Sequence, residues 1–93
     1  MRMKYIVTER EENGNRIEEI FVFDCNINHD AYAELVGKFK NQTWGNWKRV
    51  PRKPISAGFV TIRQDRVDCY GKSETLNLES RNEVDTKLLA GVL

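Results

Sequence analysis

The stretch KYIVTEREENGNRIEEIFVF, residues 4–23, holds the reading on which the fold turns. Lys4-Tyr5-Ile6-Val7-Thr8 is dense in β-branched and aromatic side chains, which suit a pleated surface better than a helix. Ile17 to Asp24 repeats that character. Between them stands Asn13-Gly14. A two-residue type I′ turn needs positive φ at both central positions, and Asn followed by Gly tolerates this best. With those residues as the loop, partners have numbers summing to 27: Tyr5 faces Val22, Ile6 faces Phe21 and Val7 faces Ile20. One face of the hairpin then carries Met3, Tyr5, Val7, Ile20 and Val22, and the other Ile6, Phe21 and Phe23. A half-buried hairpin normally keeps one face wet. This one is apolar on both, so a lid or a partner must shelter the second.

Downstream, Asn28-His29-Asp30 opens a helix: Asn28 supplies a cap and Asp30 sits in the electropositive first turn. Ala31, Tyr32, Leu35, Val36 and Phe39 recur at three- and four-residue spacing, which predicts a helix over residues 29–40. From Asn41 to Pro54 the periodicity lapses, with a short edge strand around Trp47–Val50. Ile55 to Gln64 reads as a third strand and Arg66 to Gly71 as a fourth. An Asp65-Arg66 turn would pair Ile62 with Cys69 and set Arg63 across from Asp68. Val60, Ile62, Val67 and Cys69 then line the core, with Thr61, Arg63, Asp68 and Tyr70 outside. Ser80-Arg81-Asn82-Glu83 has the form of a capping box. Val84, Leu88 and Val92, flanked by Leu89 and Leu93, form the apolar stripe of a terminal helix.

The 93 residues therefore predict one α+β domain: a ββα half over 1–40, a loop over 41–54 and a second ββα half over 55–93. The expected architecture is ββαββα, a four-stranded antiparallel sheet with two amphipathic helices packed on one face. That order resembles a circular permutation of the ferredoxin-like β-α-β-β-α-β arrangement.

Composition narrows the class. The chain is 40% hydrophobic and 31% charged, with a net charge of +1, which disfavours disorder. Its longest apolar run, Ile20 to Phe23, falls far short of the about 20 residues that cross a bilayer, so no membrane role is expected. The start lacks the apolar core of a signal peptide, which favours the cytoplasm. Cys25 and Cys69 stand in no metal or redox spacing and read as small buried hydrophobes. No cofactor is implied. His29 is the only histidine, and a metal shared by Cys25, His29 and Cys69 is a remote alternative lacking a fourth ligand.

Charge placement is the clearest anomaly. Residues 35–64 contain seven basic and no acidic residues, whereas both flanks are net acidic. Lys38, Lys40, Lys48, Arg49, Arg52 and Lys53 are interleaved with Trp44 and Trp47. Trp and Arg concentrate at protein interfaces, and the two-faced hairpin asks for cover. The leading expectation is a small non-enzymatic protein that acts through a protein partner and self-associates, with Ile6, Phe21 and Phe23 at the interface. The alternative is single-stranded nucleic acid held by segment 38–53: cations neutralise phosphates, rings stack on unpaired bases, and Phe21, Phe23 and Tyr70 extend the platform. A metal- or thiol-dependent enzyme is the most distant alternative, since no nucleophile–base or phosphate-cradling pattern is present.

Overall fold

The turn at Asn13 (φ 52°) and Gly14 (φ 81°) has the positive backbone angles that Asn-Gly requires. It joins β1 (Arg2–Glu12) to β2 (Asn15–Phe23) in the register read from the sequence, with Tyr5 opposite Val22 and Val7 opposite Ile20. The computed structural model describes residues 1–36 and 51–92 in full, and the backbone alone of 37, 40–43 and 46–49. After the hairpin come α1 (His29–Gly37), a short ribbon of β3 (Lys40–Thr43) and β4 (Asn46–Arg49), then β5 (Lys53–Ile62) and β6 (Val67–Tyr70). A two-residue pair, β7 (Lys72–Ser73) with β8 (Leu78–Glu79), leads to α2 (Asn82–Ala90). The protein is thus a small α+β domain, its four-stranded antiparallel sheet in the order β2-β1-β5-β6. β4 overlaps the short strand expected around Trp47–Val50, whereas β3 and the β7–β8 ribbon are additions to the expected ββαββα order. No described helix is long and apolar enough to cross a membrane.

The expectation that both helices share one face is overturned. Tyr5, Val7, Val60, Val67 and Cys69 pack with Leu88 and Leu89 of α2 on one side of the sheet. Ile6, Phe23 and Ala57 pack with Tyr32, Ala33 and Val36 of α1 on the other, where Leu76 and Leu78 complete the cover. The cause lies in the first hairpin. Side chains alternate across a strand, both alternating sets are apolar, and each demands its own layer. Phe23 stacks on Tyr32 with ring centroids 4.1 Å apart. Ile6 is fully buried, which stabilises the fold by about 1.5–3 kcal/mol. Ile6 and Phe23 are therefore core residues and Phe21 is half-buried beside them, so the expected interface formed by these three is not a free surface.

Three local readings are corrected. The β5–β6 register lies two residues from the expected one, with Val60 opposite Cys69 and Ile62 opposite Val67. Gln64-Asp65 is the turn, closed by Arg63 N–H donating to the Arg66 carbonyl at 2.9 Å. Asp68 is clamped by Arg66, at 2.9 and 3.0 Å, instead of facing Arg63. A two-residue shift keeps every side chain on its face, so the core assignment survives. Ser80 does not cap α2, whose N-cap is Arg81 without a side-chain cap bond. The Ser80 hydroxyl is engaged with the Tyr5 phenol, 2.5 Å away. The stripe of α2 also differs: Val84 and Val92 are exposed, and Leu89 faces the core with Asp85.

Candidate nucleic-acid interface

Helix α1 and the Leu76–Leu78 segment cover only part of their side of the sheet. Strand register places the uncovered remainder. Lys4 lies opposite Phe59, and Phe59 opposite Tyr70, so β1, β5 and β6 present a cation and two aromatic rings in one row. Phe59 and Tyr70 have ring centroids 6.2 Å apart at 30°. The guanidinium of Arg2 lies over Phe59, its carbon 4.1 Å from the ring centroid. Lys4 Nζ donates to the Ile27 carbonyl at 2.9 Å, which holds the ammonium at the edge of the row.

The row forms one wall of a cleft of about 470 Å³ lined by Arg2, Lys4, His29, Phe59, Tyr70 and Lys72, among others. That volume falls within the range of small-ligand sites. Two glycines permit the geometry. A Cβ on Gly58 would collide with the Tyr70 carbonyl oxygen, and one on Gly71, whose φ is 81°, would press on the Phe59 ring at 3.2 Å. His29, at the start of α1, supports the floor. It is 4% exposed, edge-on to Phe59 at 5.8 Å and to Phe23 at 5.5 Å. Its Nε2 lies 2.8 Å from the Gly58 carbonyl. A carbonyl only accepts, so Nε2 carries the proton. Burial, with Lys4 nearby, lowers the His29 pKa and favours the neutral ring. Thr75 Oγ1 accepts from Asp30 N–H at 3.2 Å, tying the segment after β7 to the start of α1.

Charge favours an anion. Among the described residues that line the cleft, Arg2, Lys4 and Lys72 stand against one carboxylate, Glu74. Five of the eight carboxylates in residues 1–34, Glu9, Glu11, Glu12, Glu18 and Glu19, lie in the half of the β1–β2 hairpin nearer its turn, whereas Asp24 follows β2 and Asp30 sits beside His29 in the first turn of α1. Glu11 is seven residues from Lys4 along β1, about 23 Å at 3.3 Å per residue. Two Debye lengths at physiological salt amount to about 16 Å, so the carboxylates at the hairpin tip, Glu11 and Glu12, are screened from the cleft.

Of the candidate residues in the basic segment 38–53, Arg52 and Lys53 fall among those described in full. Arg52 is not available to a ligand. Its Nε donates to Glu19 at 3.1 Å, its Nη1 donates to the Val36 carbonyl at 3.3 Å, and its side chain is 4% exposed. It ties the end of α1 to β2. Lys53 is exposed at the start of β5, opposite Glu9. Lys38 and Trp44, and the side chains of Lys40, Trp47, Lys48 and Arg49, lie outside the described residues. His29 and Cys69 pack on opposite faces of the sheet, so they cannot share a metal. Among the described residues no three His, Cys, Asp or Glu form a metal-binding group.

The cleft residues that sequence reasoning missed are Arg2, Lys4, Phe59 and Lys72. Arg2 and Lys4 belong to a net-acidic third, where a regional charge count hides them. The available signal was alternation: Phe59 and Thr61 flank the core residue Val60, so they share the face of Tyr70. Comparison with family models, curated proteins and solved structures finds no match for this chain.

Proposed function

We propose that the chain is a non-enzymatic binding domain for single-stranded nucleic acid, engaged on the open part of the α1-side sheet face. The observation that carries this reading is the in-register row Lys4–Phe59–Tyr70, with Arg2 over Phe59 and Lys72 across the cleft. Unpaired bases offer π-faces to rings and phosphates to cations, the two chemistries that the row combines. Tyr70 is 37% exposed and supplies an accessible ring. The apolar second face that argued for self-association is covered within the chain by α1, which leaves that reading with less support.

Three cleft cations give a salt slope of about −2 for a single strand. Affinity for a labelled mixed-sequence 12-nucleotide DNA should therefore fall about 20-fold between 50 and 200 mM salt, read by fluorescence anisotropy. Tyr70→Ala should weaken binding by about 5- to 150-fold, the equivalent of one lost stacking contact. Salt-independent binding, or a Tyr70→Ala variant as tight as the parent, defeats the proposal.

A further inference from the structure

Resting on that reading, we infer that Arg2 is the stacking plane of the site: an unpaired base lies on the outer side of its guanidinium, with Phe59 beneath. Phe59 cannot present that ring face itself, because the Arg2 guanidinium already lies over it at 4.1 Å. Arg2 is exposed, near the start of β1 and next to the cleft mouth. Its backbone is fixed on both sides, opposite Thr61 in the sheet and with its carbonyl accepting from Cys25 Sγ at 3.4 Å. Only the side chain is left to adjust. A guanidinium is planar and weakly hydrated; it stacks on rings through its faces while its in-plane N–H groups remain free for phosphate. An ammonium supplies charge without a plane. The arrangement therefore selects flat, unpaired bases, which a duplex keeps stacked on one another.

Arg2→Lys and Arg2→Ala separate the plane from the charge. Against the labelled 12-nucleotide DNA, both variants should bind at least 5-fold more weakly than the parent. Arg2→Lys should keep the parent's salt slope, while Arg2→Ala should be shallower by about 0.7, one phosphate contact. The same sequence as a duplex should bind the parent at least 5-fold more weakly than the single strand. If Arg2→Lys equals the parent, Arg2 is only a charge; if Arg2→Ala binds more tightly, Arg2 is a cover over Phe59. Either result overturns the inference while leaving the proposed function standing, provided Tyr70→Ala still loses affinity. A parent chain that binds no single strand overturns both. Thermal melts of both variants should lie within a few degrees of the parent, because Arg2 belongs to neither core and gives up only its exposed contact with Phe59.

Discussion

Replacing Tyr5 by Phe removes a single oxygen from the middle of the face beneath α2. Tyr5 and Asp85 are both fully buried. The phenol lies 2.6 Å from Asp85 Oδ2 and 2.5 Å from Ser80 Oγ. A carboxylate only accepts, so the phenol proton goes to Asp85 and the Ser80 hydroxyl donates to the phenol oxygen. Burial and the Asp85 carboxylate push the phenol pKa far above the usual tyrosine range, so it remains a donor at every working pH. Asp85 also accepts from Arg81 N–H at 3.0 Å and Arg81 Nε at 2.9 Å, and Arg81 reaches on to Glu18 at 2.7 Å. The phenol thus links β1 to the start of α2 and, through Arg81, to β2. Its loss leaves a buried carboxylate oxygen and the Ser80 hydroxyl short of a partner. A hydrogen bond to a charged group contributes about 1.5–3 kcal/mol, against a total stability of about 5–14 kcal/mol for a chain of this length. With an m value of about 1–2 kcal/mol/M, the urea midpoint of Tyr5→Phe should fall by about 0.8–3 M. Asp85→Asn should show a loss of similar size, and the double variant much less than the sum of the two, since both break one network. A Tyr5→Phe midpoint within 0.3 M of the parent, or strict additivity with Asp85→Asn, would refute the reasoning.

Other consequences follow from single positions. Gly58→Ala should cost about 2–3 kcal/mol or prevent folding, because its Cβ meets backbone at Tyr70 instead of a side chain that can yield; a thermal melt decides. Gly14→Ala should cost only about 1 kcal/mol, since space at the turn is open and the penalty is the positive φ alone. His29 has a pKa below its ordinary 6.5 in the folded chain, so the unfolded chain takes up the proton first as pH falls. Stability should be level from about pH 6.5 to about pH 8 and decline below that window, by at most about 1.4 kcal/mol per pH unit. Urea midpoints at pH 7.5 and 5.5 should differ in the parent and converge in His29→Gln. Burial pushes the Cys69 thiol up to about 11, whereas Cys25 is half-exposed. An aromatic disulfide reagent at pH 8 should therefore titrate one thiol quickly and the second only after unfolding; two equal rates would contradict the burial of Cys69.

Local chemistry made the first hairpin legible. Asn13-Gly14 sets both the turn and the register, and register then distributes Tyr5 and Ile6 to opposite faces without reference to the rest of the chain. The same alternation assigned Val60, Val67 and Cys69 to one core even though the β5–β6 turn was misplaced, because a shift of two residues preserves faces. The cap of α2 was not legible. Ser80 has the right spacing for a capping box, but a hydroxyl bonds to whichever partner is nearest, and β1 brings Tyr5 to it from 75 positions away. Arg52 was misread for a similar reason: among lysines and tryptophans it resembles a free cation, yet its carboxylate partner is Glu19 on another strand.

By itself, the sequence determined that the first hairpin would be oily on both sides, and so that the sheet would need two covering layers. Only the tertiary structure decided that α1 and α2 divide those faces between them, and that the cover on one side stops short of β6. Periodicity records how each element divides polar from apolar residues along its own axis. It holds no information on how far a neighbouring layer extends. The open row of Lys4, Phe59 and Tyr70 is defined by where the α1 layer begins, at His29, a property of packed layers that no single segment contains.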